Sequence, residues 1–355
     1  MQSFVHEAHA VRVVFGAGSF HRLAEEAERL GKRLLVITSP EQETLAKKAA
    51  SLLGESCACA YPGAVMHVPV DSVDRAMTAI GETDADGLVA IGGGSATGLA
   101  KALALRTGLP ILAVPTSYAG SEMTPIWGLT ENGVKRTGKD LRVLPRIAIY
   151  DPDLTHSLPA GLSGVSGLNS IAHCVEGLYS PDANPLVSIM AEEGIRALAR
   201  SLPVIVRDPS NSAARAEALY GAWLGGTVLG MVGMALHHKL CHTLGGTFNL
   251  PHAQTHAVIL PHAVAYNAAA APEAMARTAR ALGVSDAAAG LAGLLRQVSP
   301  VTSLEEIGMP EDGIPRAVEL AMANPYYNPA PLEADRLETL LRRAFAGAPP
   351  GATIE

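Results

Sequence analysis

The sequence predicts an α/β protein in two parts: a doubly wound, mostly parallel sheet over residues 1–158, then an all-helical domain over 159–355. Three observations predict it. The 355 residues suffice for two domains at about 150 residues each. Up to Tyr150, short β-branched or aliphatic runs alternate with helical stretches, the pattern of a parallel sheet covered by helices. After Asp151-Pro152-Asp153 the strand signal fades into long Ala/Leu-rich stretches.

Taken in order, the strands are Val11–Phe15, Leu34–Thr38, Leu88–Ile91, Ile111–Val114 and Ile147–Tyr150, with helices near Ser19–Leu30, Gln42–Leu53, Val73–Gly81 and Thr97–Arg106 between them. Pro152, Pro159, Gly161, Gly164 and Gly167 mark the change of domain. The helical half includes Pro185–Leu202 and Ala213–Leu236 and ends with Glu333–Ala346. Within it Ala218–Leu236 carries no charge over 19 residues, the length of a membrane span. It stands alone and runs directly into His237 and His238, so it reads as a buried helix.

A composition of 48% hydrophobic and 17% charged residues excludes a disordered or fibrous chain. A net charge of −7 supplies no basic field for nucleic acid or an anionic membrane, and neither is expected as a partner. Cys57, Cys59, Cys174 and Cys241 lack zinc-finger spacing and are too few for a disulfide scaffold, which suits the cytoplasm. The N-terminus has acid and histidine where an export signal has a basic start and an apolar run.

The apolar run to Ile91 leads into GGGSATGLAK, where Gly92, Gly93, Gly94 and Ser95 precede a helical pattern. Glycines admit an anion close to the backbone, and the free N–H groups of a helix start stabilise phosphate. The motif is neither a Walker loop nor G-x-G-x-x-G, and a nucleotide pyrophosphate is its best ligand. A hydroxyl-rich turn with Thr116, Ser117, Tyr118 and Ser121 follows another strand, so it belongs at the same sheet edge. Ser39 stands where an NAD-specific fold often holds an acid against the ribose, so NADPH is admitted alongside NADH.

Six of twelve histidines fall between His237 and His262. His238 and His242 are four apart and share a helical face, as do Asn169 and His173 on another predicted helix, and with His252 these faces form one candidate pocket. Imidazoles serve proton transfer or metal binding, and the spacing does not choose between them.

Together FGAGSF, GGGSATGLAK, PTSYAGSEMTPIWGLTE, KRTGKDLRVLPRIAIYDPDLT, SGLNSIAHCVE, HHKLCHTLGGTFNLPH and NPYYNP span nearly the whole chain. On these segments it resembles the iron-containing alcohol dehydrogenase family, and within it most closely the maleylacetate reductases. The resemblance implies a Rossmann-like domain and a helical domain of the type shared with dehydroquinate synthase, with NADH or NADPH in the cleft between. It also implies a homodimer, with His9–Phe15 as an edge strand pairing across a two-fold axis.

Metal-dependent members bind iron or zinc through one aspartate and three histidines, which carry over to Asn169, His173, His238 and His252. Asn169 replaces the anionic ligand, Gly98 stands where the alcohol dehydrogenases usually have aspartate, and the reductase branch is similar in doing without metal, so no metal is expected. The implied reaction is reduction of maleylacetate, a dicarboxylate, to 3-oxoadipate in aromatic-compound degradation. His242 is the expected proton donor, with His173, His238 and His252 orienting or polarising substrate. The substrate-binding candidates are Lys135, Arg136, Lys139, Lys239, Asn169 and Tyr326. A metal-dependent alcohol or polyol dehydrogenase, with Asn169 as an oxygen ligand, is the second reading.

Overall fold

The computed structural model describes residues 3–131 and 134–351, apart from the side chains of Val134 and Lys135. The chain divides into two compact units, Ala8–Leu158 and a second that is mostly the chain from Pro159 onward.

The α/β unit is built on six parallel strands, β1 (Arg12–Phe15), β2 (Leu34–Ile37), β3 (Cys57–Tyr61), β4 (Gly87–Gly92), β5 (Ile111–Pro115) and, later in the chain, β8 (Ile147–Tyr150). Their spatial order is β1-β8-β5-β4-β2-β3. An antiparallel hairpin, β6 (Ile126–Glu131) and β7 (Val134–Lys139), stands apart from this sheet. The helices are α1 (Leu23–Ala27), α2 (Glu43–Leu53), α3 (Val70–Thr83) and α4 (Gly94–Thr107).

Both faces of the sheet are covered, so its central strands are apolar throughout. On β2, Leu34 and Val36 join one core with Leu23 and Ala49, while Leu35 and Ile37 join the other with Val73 and Leu99. From β2 the chain steps outward to β3, then returns past β2 to β4 and β5. Connections therefore reverse direction between β2 and β4, and the ends of β2, β4 and β5 lie side by side at this reversal, where open α/β sheets bind ligands.

The helical unit comprises α5 (Ala160–Tyr179), α6 (Pro185–Arg207), α7 (Ser212–Met231), α8 (Leu236–Phe248), α9 (His252–Asn267), α10 (Pro272–Leu282), α11 (Ala287–Val298), α12 (Ile314–Ala323) and α13 (Ala334–Phe345). The uncharged run Ala218–Leu236 is not one helix: α7 ends at Met231 and α8 starts anew at Leu236, bent by 94°. Among the described residues no single helix is long and apolar enough to cross a membrane, although this bent pair passes on length and composition. Small residues on α7 let it approach α5 closely: a Cβ at Gly225 would lie 2.9 Å from the Ser170 carbonyl oxygen. A core of Leu240, Leu244, Val258, Ile259, Leu337 and Leu341 ties α8 and α9 to α13.

Candidate active site

At the reversal point of the α/β unit, β4 ends in Gly92, whose φ of 147° is open to glycine. Gly93 caps α4, and Gly94 and Ser95 form its first turn, so the glycine motif is itself the helix N-terminus, with its unpaired N–H groups at the sheet edge. The second loop is pinned to the first. The Thr116 N–H donates to Gly92 O at 3.0 Å, Gln42 Nε2 donates to Thr116 Oγ1 at 2.8 Å, and a Cβ at Gly93 would lie 3.0 Å from Ser117 Oγ. Tyr118 is fully buried and Ser121 half-buried.

Ser39 caps the short helical turn after β2, and its hydroxyl holds the Glu41 carboxyl below the usual carboxylate range. An acid thus stands two residues beyond the position read as uncharged. Arg136 is exposed and paired with Glu131 at 3.2 Å, Lys139 is exposed at the end of β7, and the Lys135 side chain lies outside the described residues.

The helical unit gathers its histidines from three helices. Asn169 and His173 project from α5, His238 and His242 from α8, and His252 and His256 from α9. Ring centroids are 5.1 Å apart for His173 and His238, 6.0 Å for His238 and His242, 5.0 Å for His238 and His256, and 4.2 Å for His252 and His256. Asn169, His173, His238 and His256 are buried, His242 is half-buried and His252 is exposed, so the cluster grades from interior to surface.

Glu176, one turn past His173, fixes the arrangement. Its Oε1 accepts the His237 N–H at 2.7 Å, and its Oε2 accepts the Ala235 N–H at 2.8 Å and lies 2.7 Å from His238 Nδ1. Burial works to raise this carboxyl, but His238, His237 and the Ala235 N–H outweigh it and hold it below its ordinary value. A carboxylate at Nδ1 places the proton there and leaves Nε2 of His238 with its lone pair. That atom is buried with no hydrogen-bond partner among the described residues, as are Asn169 Oδ1 and His173 Nδ1.

Burial, reinforced by the other imidazoles, pushes His173 and His256 well below the usual histidine range. The same burial takes His237 to about 4, and its Nε2 lies 2.9 Å from the His256 carbonyl oxygen. His242 Nδ1 lies 3.1 Å from the Tyr326 hydroxyl. Lys239 Nζ sits 5.7 Å from the Tyr326 ring centroid, and burial lowers its pKa.

Two family models match: "Iron-containing alcohol dehydrogenase" over residues 10–152 and "Fe-containing alcohol dehydrogenase family, C-terminal" over residues 164–345. The chain belongs to the iron-containing alcohol dehydrogenase family. It is accordingly an oxidoreductase, and the parallel sheet followed by a helical domain is this family's fold. It is 58% identical to a maleylacetate reductase of Sphingobium indicum, covering 98% of this chain and 99% of that one. Identity to a maleylacetate reductase of Burkholderia cepacia is 54%, covering 99% and 100%. The crystal structure of maleylacetate reductase from Agrobacterium tumefaciens superposes with a TM-score of 0.94 at 49% identity, covering 99% and 100%.

Membership of this iron-containing family corrects the expectation that no metal takes part. The residues fit a divalent cation: Asn169 Oδ1, His173 Nδ1 and His238 Nε2 are buried donors without partners, and the Glu176–His238 pair is the carboxylate–histidine arrangement that supports metal-bound imidazoles. Two further buried groups, Glu176/His237/His238 and His237/Cys241/His256, also bring metal-binding atoms together. Asn169 brings no charge to these donors, whereas Glu176, which no local pattern marks as part of the site, puts a negative charge directly behind His238.

Proposed function

We propose that this chain is a maleylacetate reductase, using NADH or NADPH to saturate the carbon–carbon double bond of maleylacetate and give 3-oxoadipate. The nicotinamide supplies a hydride to one carbon, and a proton from the protein goes to its neighbour. Identities of 54–58% over nearly the full length to enzymes of that name support the substrate. The observation that carries the chemistry is the His242–Tyr326 pair, in which a half-buried imidazole at the surface end of the cluster is oriented at Nδ1 by the tyrosine hydroxyl.

Each unit has its own part. The glycine turn, with Thr116, Ser117 and Ser121, offers N–H and O–H donors to the dinucleotide phosphates. Lys239, half-buried beside Tyr326, offers a cation to one substrate carboxylate, and Arg136 and Lys139 are further candidates on the hairpin. Asn169, His173, His238 and His252 would hold the family's metal, which when bound supplies Lewis-acid polarisation of a substrate oxygen. The reading includes a cytoplasmic location, supported by four free thiols, and a homodimer, supported by β1 lying at the edge of the sheet.

The test is oxidation of NADH and NADPH by purified protein with maleylacetate, with metal content measured on the same sample. Turnover that falls at least about a hundredfold in His242→Gln is expected. Absence of turnover with maleylacetate, together with oxidation of simple alcohols, overturns the assignment.

A further inference from the structure

Lys101 lies two turns into α4 and is 1% exposed, an unusual place for a lysine. Its ammonium reaches from the helix of the glycine turn to the segment following β5. Its three N–H groups are shared among four oxygens, Ser121 O at 2.5 Å, Thr124 O at 2.7 Å, Thr124 Oγ1 at 2.9 Å and Ile126 O at 2.8 Å from Nζ. All four acceptors are uncharged oxygens, and they come from one short stretch that runs from the helical turn Ser121–Met123 into the first residue of β6.

The buried acid in this region, Glu122, is 2% exposed and accepts from the Tyr150 hydroxyl at 2.8 Å, which links the segment to the end of β8. Burial draws the Lys101 ammonium down to about 7, and the Glu122 charge opposes that shift. Four oxygen acceptors favour the protonated form, since a neutral amine has one N–H fewer to offer them.

We propose that Lys101 is a positioning residue for the dinucleotide, tying the Thr116–Ser121 loop to the helix of the glycine turn. The loop already touches that turn through Thr116 and Ser117, and its far end is held by the ammonium. Without the cation, the Thr124 and Ile126 carbonyls lose the ammonium, Ser121 O keeps only its bonds from the Thr124 N–H and Oγ1 within the segment, and the loop loses this tie to α4 at the end where Ser121 stands. This role rests on the reading of the two loops as the dinucleotide edge.

The test compares NADH binding, followed by nucleotide fluorescence, with steady-state kinetics and thermal unfolding for wild type, Lys101→Met and Thr124→Val. In Lys101→Met the Kd and KM for NADH rise about tenfold or more, while KM for maleylacetate and kcat at saturating NADH stay within about threefold. Thr124→Val, which removes one acceptor of the ammonium together with the Oγ1–H bond to Ser121 O and the acceptor of the Ile126 N–H, raises the NADH Kd by about two- to fivefold. A lysine that serves only stability would lower the melting temperature without moving the NADH Kd. A folded Lys101→Met protein with wild-type NADH affinity overturns the positioning role alone. If Lys101→Met does not fold, an unmoved NADH Kd in Thr124→Val overturns it. A wild type that binds neither NADH nor NADPH overturns the functional reading, and this role with it.

Discussion

The Tyr326 hydroxyl lies 3.1 Å from His242 Nδ1, so the tyrosine acts on proton delivery through the imidazole. In Tyr326→Phe the ring keeps its packing and loses that partner, and kcat should fall about three- to tenfold with KM for NADH unchanged. An unaltered kcat would mean that His242 is oriented by other contacts.

Asn169 offers a second test at this scale. Its Oδ1 is a buried acceptor without a hydrogen-bond partner, and a carboxylate there adds the charge that a divalent cation needs. Asn169→Asp should bind Zn²⁺ or Co²⁺ about tenfold tighter or more, measured by competition with a chromophoric chelator. Equal affinities would show that the amide oxygen does not face the metal position. The i, i+4 spacing made these residues legible in sequence, because a helix turn alone places them on one face. Glu176 was not, since its part depends on the N–H groups of Ala235 and His237, some sixty residues away. His256 lies within the His237–His262 run, but its place at the centre of four other rings is a tertiary fact.

Among the elements, α4 depends on Gly98. A Cβ there would stand 2.8 Å from Val68 Cγ2, and Val68 cannot readily retreat. Its φ is 47°, left-handed and costly for a β-branched residue, and its carbonyl is held by the Thr130 N–H at 3.1 Å. Gly98→Asp, which installs the acid of the alcohol dehydrogenases, should destabilise the α/β unit by about 1–3 kcal/mol, read as a lower thermal midpoint. A midpoint equal to wild type would mean that the 67–68 kink yields easily.

The alternation of runs placed β1, β2, β4, β5 and β8 within a residue or two, because buried parallel strands are apolar on both faces. It omitted β3, whose CACAY is half-exposed at the sheet edge, and the hairpin β6–β7, where charged and small residues mask the strand period. The break between α7 and α8 falls in VGMA, which carries no Pro and only one glycine to announce it. There the backbone N–H of Ala235 turns to Glu176, a partner invisible to local pattern.

For the folded chain as a whole, pH links the site's chemistry to stability through histidines buried in neutral form. His262 on α9 is the case outside the cluster: it is 5% exposed, and burial, with Arg343 adding to it, lowers it to about 4. An unfolded chain takes up a proton there below about 6.5. The folded chain refuses it until about 4, so the unfolded state binds more protons between these values. Stability therefore falls as pH drops through that window and is intact above it. Between about pH 7.5 and about pH 5 this one group removes on the order of 2 kcal/mol. In His262→Gln, which keeps a polar side chain and cannot titrate, the drop in thermal midpoint over that interval should be smaller than in wild type by about 4–8 °C. An identical drop in the two proteins would place the acid sensitivity elsewhere, in groups that change partners before His262 is protonated.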